Sequence, residues 1–143
     1  MNAVVQALQD ALGVDSVRVD PDVTATYSRD MMPLAPVGRP LAVVFPETAA
    51  QVQAVVRICN GAGVPIVPRG AGSGLSGAAN AIDGCVMLVT TRMNAILEID
   101  QDNRLAVVEP GVVNLDLRDA VEKHGLFYPP DPSSYDWCSI GGN

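Results

Sequence analysis

A glycine-rich loop that follows a buried strand is the strongest signal in this sequence. Residues 68–77 read Pro-Arg-Gly-Ala-Gly-Ser-Gly-Leu-Ser-Gly, directly after the apolar run Val64–Val67. Closely spaced glycines let the backbone adopt positive φ and approach a ligand closely. Successive free N–H groups in such a turn form a concavity that binds anions. The pattern predicts a site for the pyrophosphate of a nucleotide rather than a flexible surface turn, because the strand holds one end of the loop rigidly.

Three kinds of phosphate-binding loop compete for this segment. A Walker-type loop requires a lysine after its last glycine, but Ala78 follows Gly77, and Lys123 is the only lysine in the chain. The stretch from residue 72 to 77 matches G-x-G-x-x-G literally, but that motif opens a helix, and the residues that follow favour a loop. The third kind is a loop whose backbone wraps the pyrophosphate while other loops close over the cofactor. It agrees with further Gly, Pro and Ser clusters at residues 109–111, 129–134 and 138–143.

The hydrophobic periodicity predicts an α+β fold. Helical spacing of apolar residues indicates helices over residues 4–12, 48–61 and 115–124, the second opened by a capping box and the third by Asn114 as N-cap. Short apolar runs indicate strands over residues 41–45, 64–67 and 85–89, and residues 96–108 read as a hairpin. Strand, helix and strand in succession predict a small parallel βαβ subdomain, followed by a mixed or antiparallel sheet with helices.

Composition excludes several classes of function. The net charge is −7 and Lys and Arg form no cluster, so the sequence predicts no nucleic-acid binding, which needs a basic face. No run of 18 apolar residues is present, and no transmembrane segment is predicted. Three cysteines far apart predict reduced thiols in a cytoplasmic protein and no metal site.

The order and spacing of several motifs resemble one known family, the FAD-binding domain of FAD-linked oxidases of the vanillyl-alcohol-oxidase or PCMH type. Within it, the sequence is most similar to the flavin subunit of bacterial glycolate oxidase and to FAD-linked D-lactate dehydrogenases. The resemblance spans about residues 25–143. The segments that carry it are Tyr27 and residues 40–48, 64–77, 96–100, 108–112, 130–134 and 139–143.

The resemblance implies a PCMH-type FAD-binding fold with FAD as the cofactor. It implies that the pyrophosphate is held by the glycine loop, and that two later clusters lie along the rest of the cofactor. The expected cofactor-binding residues are Pro68, Arg69, Gly70, Ala71, Gly72, Ser73, Gly74, Leu75, Asp131, Pro132, Ser133, Ser139, Gly142 and Asn143. Some relatives attach the flavin covalently through a histidine in the loop. Because Ser73 occupies that position here, the expected binding is non-covalent.

The resemblance also implies that residues 1–143 are the N-terminal part of such a domain, without the cap domain that selects the substrate. The expected activity of the whole protein is oxidation of a 2-hydroxy acid of the glycolate or D-lactate type to the 2-oxo acid, with catalytic residues outside this chain. Glycolate-oxidase-like members also imply an iron–sulfur partner subunit and a peripheral membrane location through that complex. From the residues alone, a nucleotide-binding domain without chemistry and a fragment of a nicotinamide-dependent dehydrogenase remain open. His124, the only histidine, is predicted in the last turn of a helix, where the helix dipole favours a cation.

Overall fold

The computed structural model describes residues 2–142 of the chain. It contains four helices and six strands, with short 3-10 turns at residues 14–16 and 140–142. In chain order they are α1 (Ala3–Leu12), β1 (Val17–Arg18), α2 (Pro21–Thr26), β2 (Ala42–Val44), α3 (Ala49–Ala62), β3 (Ile66–Arg69), β4 (Val86–Val89), β5 (Ile96–Asp100), β6 (Leu105–Val108) and α4 (Asn114–Glu122).

Local sequence explains where the first and third helices begin and end. The Asn2 side chain accepts a hydrogen bond from the Val4 N–H at the start of α1, and the Thr48 hydroxyl oxygen accepts one from the Gln51 N–H at the start of α3. Both caps satisfy N–H groups that lack an intrahelical partner. Helix α3 continues through Gly61 and ends at Gly63, which adopts the left-handed conformation that favours glycine at this position.

The first layer is a four-stranded sheet in the order β1-β2-β4-β3. Strands β2 and β3 both run parallel to β4, which lies between them, and β1 pairs antiparallel with β2. Because successive side chains of a strand point to opposite faces, Val44 and Leu88 pack against α1 and α3, whereas Val43 and Met87 pack with Phe45 on the other face. Both faces of the central strands are therefore buried, which explains their continuous apolar sequence.

The second layer combines the antiparallel β5–β6 hairpin with α4. Leu117 and Val121 of α4 and the neighbouring Val112 are buried against apolar side chains of the hairpin. An isolated antiparallel bridge joins Val113 to Ser139 and brings the C-terminal segment back to the start of α4.

The fold class predicted from the sequence is confirmed, with four differences in detail. The βαβ unit is parallel, but β4 is inserted between its two strands. Strand β1 is two residues long, too short to produce an apolar pattern. Val113, not Asn114, caps α4, because Asn114 already has helical geometry and is fully buried. His124 lies beyond the end of α4 and not in its last turn, with its Nδ1 3.0 Å from Gln101 Nε2.

Candidate FAD-binding site

The glycine-rich loop opens onto a cavity of about 260 Å³ at the end of the parallel sheet. Strand β3 enters the loop at Arg69, and the Arg69 carbonyl accepts a hydrogen bond of 3.0 Å from the Thr90 N–H, just after β4. Ligands of parallel sheets characteristically bind outside the carboxyl ends of the strands. The cavity is lined by Asp30, Pro68, Arg69, Gly70, Ala71, Gly72, Ser73, Gly74, Ser76, Ala78, Ala79, Thr90, Pro110, Ser139, Gly141 and Gly142.

The start of the loop is tied to the C-terminal segment by Ser139. Its hydroxyl oxygen accepts a hydrogen bond of 3.2 Å from the Ala71 N–H, and the residue is buried. Gly70 lies against the same hydroxyl so closely that a Cβ atom at position 70 would overlap it. Glycine is therefore required at position 70 by close packing, as glycine often is where two backbones or a ligand approach.

The middle of the loop carries N–H groups that no protein atom uses. Among residues 2–142, the N–H groups of Gly72, Ser73 and Gly74 have no acceptor, although the Gly74 carbonyl accepts a hydrogen bond of 3.0 Å from the Met31 N–H. All three residues line the cavity. Consecutive unpaired N–H groups in a loop that lines a cavity can form a site for an anion such as a phosphate group.

The Arg69 guanidinium lies between the loop and the segment that contains Tyr27 and Arg29. It donates a hydrogen bond of 2.8 Å to the Arg29 carbonyl and its Cζ lies 5.9 Å from the centre of the Tyr27 ring. A Cβ atom at Gly72, whose φ is +87°, would overlap the same guanidinium. The side chain thus lies against the loop backbone, and its Nη1 donates to another segment of the protein.

Two charged residues line this cavity within the described part of the chain, Arg69 and Asp30. Burial lowers the pKa of the Arg69 guanidinium, and the nearby Asp30 carboxylate and Tyr27 partly offset that effect. An arginine remains protonated at any physiological pH. Its charge therefore contributes a positive potential to the cavity, which the Asp30 carboxylate partly offsets.

Most of the residues predicted for the cofactor site lie together in this cavity. Residues 68–74, Ser139 and Gly142 all line it. Leu75 is not among the lining residues, and its side chain is 73% exposed. Asp131, Pro132 and Ser133 do not line it either, and the Asp131 carboxylate forms an ion pair of 2.7 Å with Arg118. Asn143 lies outside the described residues.

Sequence reasoning missed two lining residues that belong to other segments, Asp30 and Thr90. Asp30 is buried and is 38 residues from the first lining residue of the loop, so no local pattern connects the two. Thr90 follows β4. The sequence indicated only that it lies at the end of a strand, whereas the pairing of that strand with β3 is visible in the structure.

Larger cavities lie elsewhere in the described part of the chain: one of about 460 Å³ lies beside α2, and two of about 680 and 560 Å³ lie beside α4 and the hairpin. The two beside α4 share no lining residue with the glycine loop, and Leu126, Phe127 and Tyr128 contribute to both. By volume alone, these two cavities would be the first candidates for a ligand site. The loop cavity is the stronger candidate for a nucleotide because it alone contains the consecutive free N–H groups of residues 72–74.

No helix within residues 2–142 combines the length and the apolar character needed to cross a membrane.

Comparison with known proteins agrees with the resemblance expected from the sequence. The FAD binding domain family matches residues 40–143. The chain is 46% identical over 117 residues to "Glycolate oxidase subunit GlcD" of Bacillus subtilis, covering 82% of this chain and 25% of that protein. It is 40% identical over 142 residues to "D-2-hydroxyglutarate dehydrogenase" of Stutzerimonas stutzeri, covering 99% and 30%.

A solved structure, 4-ethylphenol oxidase from Gulosibacter chungangensis in an isoeugenol complex, superimposes with a TM-score of 0.85. It is 34% identical in sequence, over 98% of this chain and 28% of that one. The chain spans about a quarter of the length of the relatives that it matches. The family match, the shared fold and the glycine loop together show that this chain belongs to the FAD-binding domain family of flavin oxidoreductases and is related to glycolate oxidase subunits and D-2-hydroxy-acid dehydrogenases.

Proposed function

We propose that the whole protein is an FAD-dependent oxidoreductase that oxidises a 2-hydroxy acid to the 2-oxo acid, and that this chain holds the FAD diphosphate. Relatives named for glycolate, D-lactate and D-2-hydroxyglutarate support the substrate class. These substrates share a carboxylate beside a carbon that carries a hydroxyl group. On this proposal the chain is the N-terminal part of the FAD-binding domain, and the catalytic residues lie in the portion of the relatives that it does not span.

The observation that carries the proposal is the cavity formed by the glycine loop and the C-terminal segment. Its volume of about 260 Å³ is slightly below the range of about 300–1,000 Å³ typical of whole-ligand pockets. It suits the diphosphate and adjacent atoms of a dinucleotide better than an entire FAD molecule. The free N–H groups of residues 72–74 supply donors for phosphate oxygens, and Arg69 supplies positive charge.

FAD supplies the redox chemistry when it is bound, because its ring system accepts a hydride equivalent from the α-carbon of the substrate. The residues of this chain bind and orient. Residues 72–74 donate from their backbone, and the Ser139 hydroxyl, whose oxygen accepts from Ala71, keeps its own hydrogen for a phosphate oxygen or a neighbouring acceptor. The small side chains of Ala71, Ala78 and Ala79 leave the cavity open.

Non-covalent binding is part of the proposal. The loop carries Ser73, and no His, Cys or Tyr is among the lining residues identified within positions 2–142. Those side chains are the nucleophiles that a covalent link to the flavin would require.

The part assigned to Asp131, Pro132 and Ser133 stays a prediction. FAD affinity of Asp131→Asn and Ser133→Ala tests it cleanly. The Arg118–Asp131 ion pair is exposed on the Asp131 side, and an exposed pair contributes less than about 1 kcal/mol to stability. A tenfold loss of affinity would therefore report cofactor contact.

An iron–sulfur partner subunit and a peripheral membrane location through that complex are further parts of the proposal, and co-purification with a membrane fraction tests them.

The absorption spectrum of the purified full-length protein tests the cofactor assignment. We expect bands at about 370 and 450 nm, which are a property of the flavin, and we expect acid precipitation to release all of the colour into the supernatant. Turnover is then measured with glycolate, D-lactate and D-2-hydroxyglutarate and a dye acceptor.

Two results would contradict the proposal. A colourless protein that does not take up FAD but binds a nicotinamide dinucleotide would identify a nicotinamide-dependent dehydrogenase. A protein that binds FAD without oxidising any hydroxy acid would retain the cofactor assignment and reject the substrate class, leaving a nucleotide-binding domain without this chemistry.

A further inference from the structure

We propose that residues 27–32, here called the brace, pre-organise the phosphate-binding loop, with Tyr27 and Asp30 as positioning residues. The brace lies upstream of residue 40, where the match to the FAD binding domain family begins. The inference rests on the proposed dinucleotide site, but it does not require the bound dinucleotide to be a flavin.

The brace holds the entry of the loop through Arg69. The Arg69 guanidinium donates to the Arg29 carbonyl at 2.8 Å and lies over the Tyr27 ring at 5.9 Å. The Tyr27 ring is itself fixed by an edge-on contact with Phe45, with ring centres 5.2 Å apart. Because the guanidinium lies against Gly72, the position of Tyr27 determines where the middle of the loop can lie.

The brace holds the middle of the loop through its backbone. The Met31 N–H donates to the Gly74 carbonyl at 3.0 Å. Asp30 fixes the direction of that N–H, because its Oδ1 accepts a hydrogen bond of 2.9 Å from the Met32 N–H and closes a tight turn around Met31. Gly74 is therefore held by its carbonyl while its own N–H remains free.

The brace also holds the residues that follow the loop. The Asp30 N–H donates to the Asn80 Oδ1 at 2.8 Å, and the Ala81 N–H donates to the Ser28 carbonyl at 2.8 Å. One short segment thus contacts the loop at positions 69 and 74 and the chain just after it at positions 80–81. A loop that is ordered before the ligand arrives does not have to be ordered by binding, and affinity rises accordingly.

Asp30 has a second feature, which a role in stability alone does not explain. Its Oδ2 is buried without a hydrogen-bond partner among the described residues, and it would lie 3.6 Å from a Cβ atom at Gly74. A buried polar atom without a partner is unfavourable for folding. Its position beside the loop agrees with a role in the site, where Oδ1 shapes the turn.

The test uses the full-length protein, two disruptive variants and matched controls. Tyr27→Leu removes the aromatic face and Asp30→Ala removes the turn acceptor. Tyr27→Phe keeps the ring, Asp30→Asn keeps Oδ1, and Arg29→Ala removes an exposed side chain while keeping the carbonyl that Arg69 uses. Hydrogen exchange is measured without ligand at the bonded N–H groups of Ala71, Met31 and Ala81, which donate to Ser139, Gly74 and Ser28. ADP affinity is measured by calorimetry at a temperature where each variant is folded.

We expect faster exchange of the Ala71, Met31 and Ala81 N–H groups in Tyr27→Leu and Asp30→Ala, with exchange of α1 unchanged. ADP affinity should fall about fivefold in Tyr27→Leu, the scale of one cation–π contact, and about tenfold in Asp30→Ala, the scale of one hydrogen bond in a constrained turn. Tyr27→Phe and Arg29→Ala should remain within about twofold of the wild type. Asp30→Asn keeps Oδ1 but removes a negative charge from the lining of the cavity, so it should bind ADP at least as tightly as the wild type. Unchanged exchange of the three N–H groups or unchanged ADP affinity in the disruptive variants would overturn the inference. So would a loss of protection in α1 as large as that of the three N–H groups, because it would indicate a purely structural role.

Failure of the proposed function gives a different pattern. If the wild-type protein binds ADP but not FAD, the flavin assignment is rejected, while the exchange and ADP measurements still decide whether the brace positions the loop.

Discussion

The hydroxyl oxygen of Ser139 accepts a hydrogen bond from the Ala71 N–H at 3.2 Å and so joins two layers of the protein. Ala71 lies in the loop that leaves the parallel sheet, whereas Ser139 is bridged to Val113 at the start of α4. The cavity lies where these two layers meet. Its shape depends on contacts between segments separated by 68 positions in the sequence.

The close approach of Gly70 to Ser139 predicts strong coupling between the two positions. Gly70→Ala should lower the free energy of unfolding by about 1–3 kcal/mol, because the new methyl group overlaps the Ser139 hydroxyl. Ser139→Ala should lower it by about 1 kcal/mol through loss of the hydrogen bond to Ala71. The double variant should be close to Ser139→Ala alone, since the two Cβ atoms would be 3.5 Å apart, an ordinary contact. Denaturant unfolding of all four proteins measures the coupling, and additive losses would contradict it.

Two glycines with positive φ should respond differently to the same substitution. Gly72 (φ +87°) faces the Arg69 guanidinium, whereas Gly84 (φ +74°) has open space where a Cβ would lie. Both alanine variants should lose about 1–2 kcal/mol of stability from the left-handed backbone. Only Gly72→Ala should also lower FAD affinity, by more than about tenfold, since the loop must move away from the guanidinium. Titration with FAD distinguishes them, and equal affinities would show that Gly72 is needed for its conformation alone.

The thiols of Cys59 and Cys85 should react slowly. Both are fully buried, and burial raises the pKa of each thiol above its ordinary value, because it disfavours the thiolate. Since the thiolate is the reactive form, alkylation by iodoacetamide at pH 8 should be slow in the folded protein and complete in denaturant. Mass spectrometry of the two cysteines over time provides the measurement. Rapid labelling of either one without unfolding would contradict the burial.

Asp100 should contribute a pH-dependent stabilisation to the hairpin turn. The Asn103 side chain and backbone N–H both donate to its carboxylate, which lowers the pKa of Asp100 below its ordinary value. A lowered pKa means that this stabilisation is present above the ordinary value of about 3.9 and is lost as the pH falls through the folded-state pKa. Asn103→Ala should therefore destabilise the protein at pH 7 and have little effect near pH 2. A carbon NMR titration of Asp100 should show its pKa rising in the variant, and an unchanged value would reject this account.

Most of the fold follows from local patterns. Helices α1 and α3 match their apolar spacing and caps, and the hairpin matches the two short apolar runs around residues 100–103. The order of the strands in the sheet could not be predicted from the sequence. A strand that is buried on both faces has the same apolar sequence whether it lies at the centre of the sheet or near its edge. The insertion of β4 between β2 and β3 is therefore visible only in the structure.

In the candidate site, too, local features could be predicted from the sequence, whereas contacts between distant segments could not. Glycine spacing identified the loop and its ability to bind an anion, because free N–H groups and small residues are local properties. The contacts of the Arg69 side chain could not be predicted in this way, because they depend on where distant backbone groups lie. In the fold the guanidinium donates to the Arg29 carbonyl.

The sequence by itself determined the α+β class, the phosphate-type loop and the family, because each depends on the order and spacing of residues close together in the chain. Only the tertiary structure decided which distant segments hold that loop. Its contacts with Ser139, Arg29 and Met31 use backbone carbonyls, backbone N–H groups or one small hydroxyl. Every residue has such backbone groups, so no sequence pattern marks the ones that are used, and the fold alone brings them within hydrogen-bonding distance.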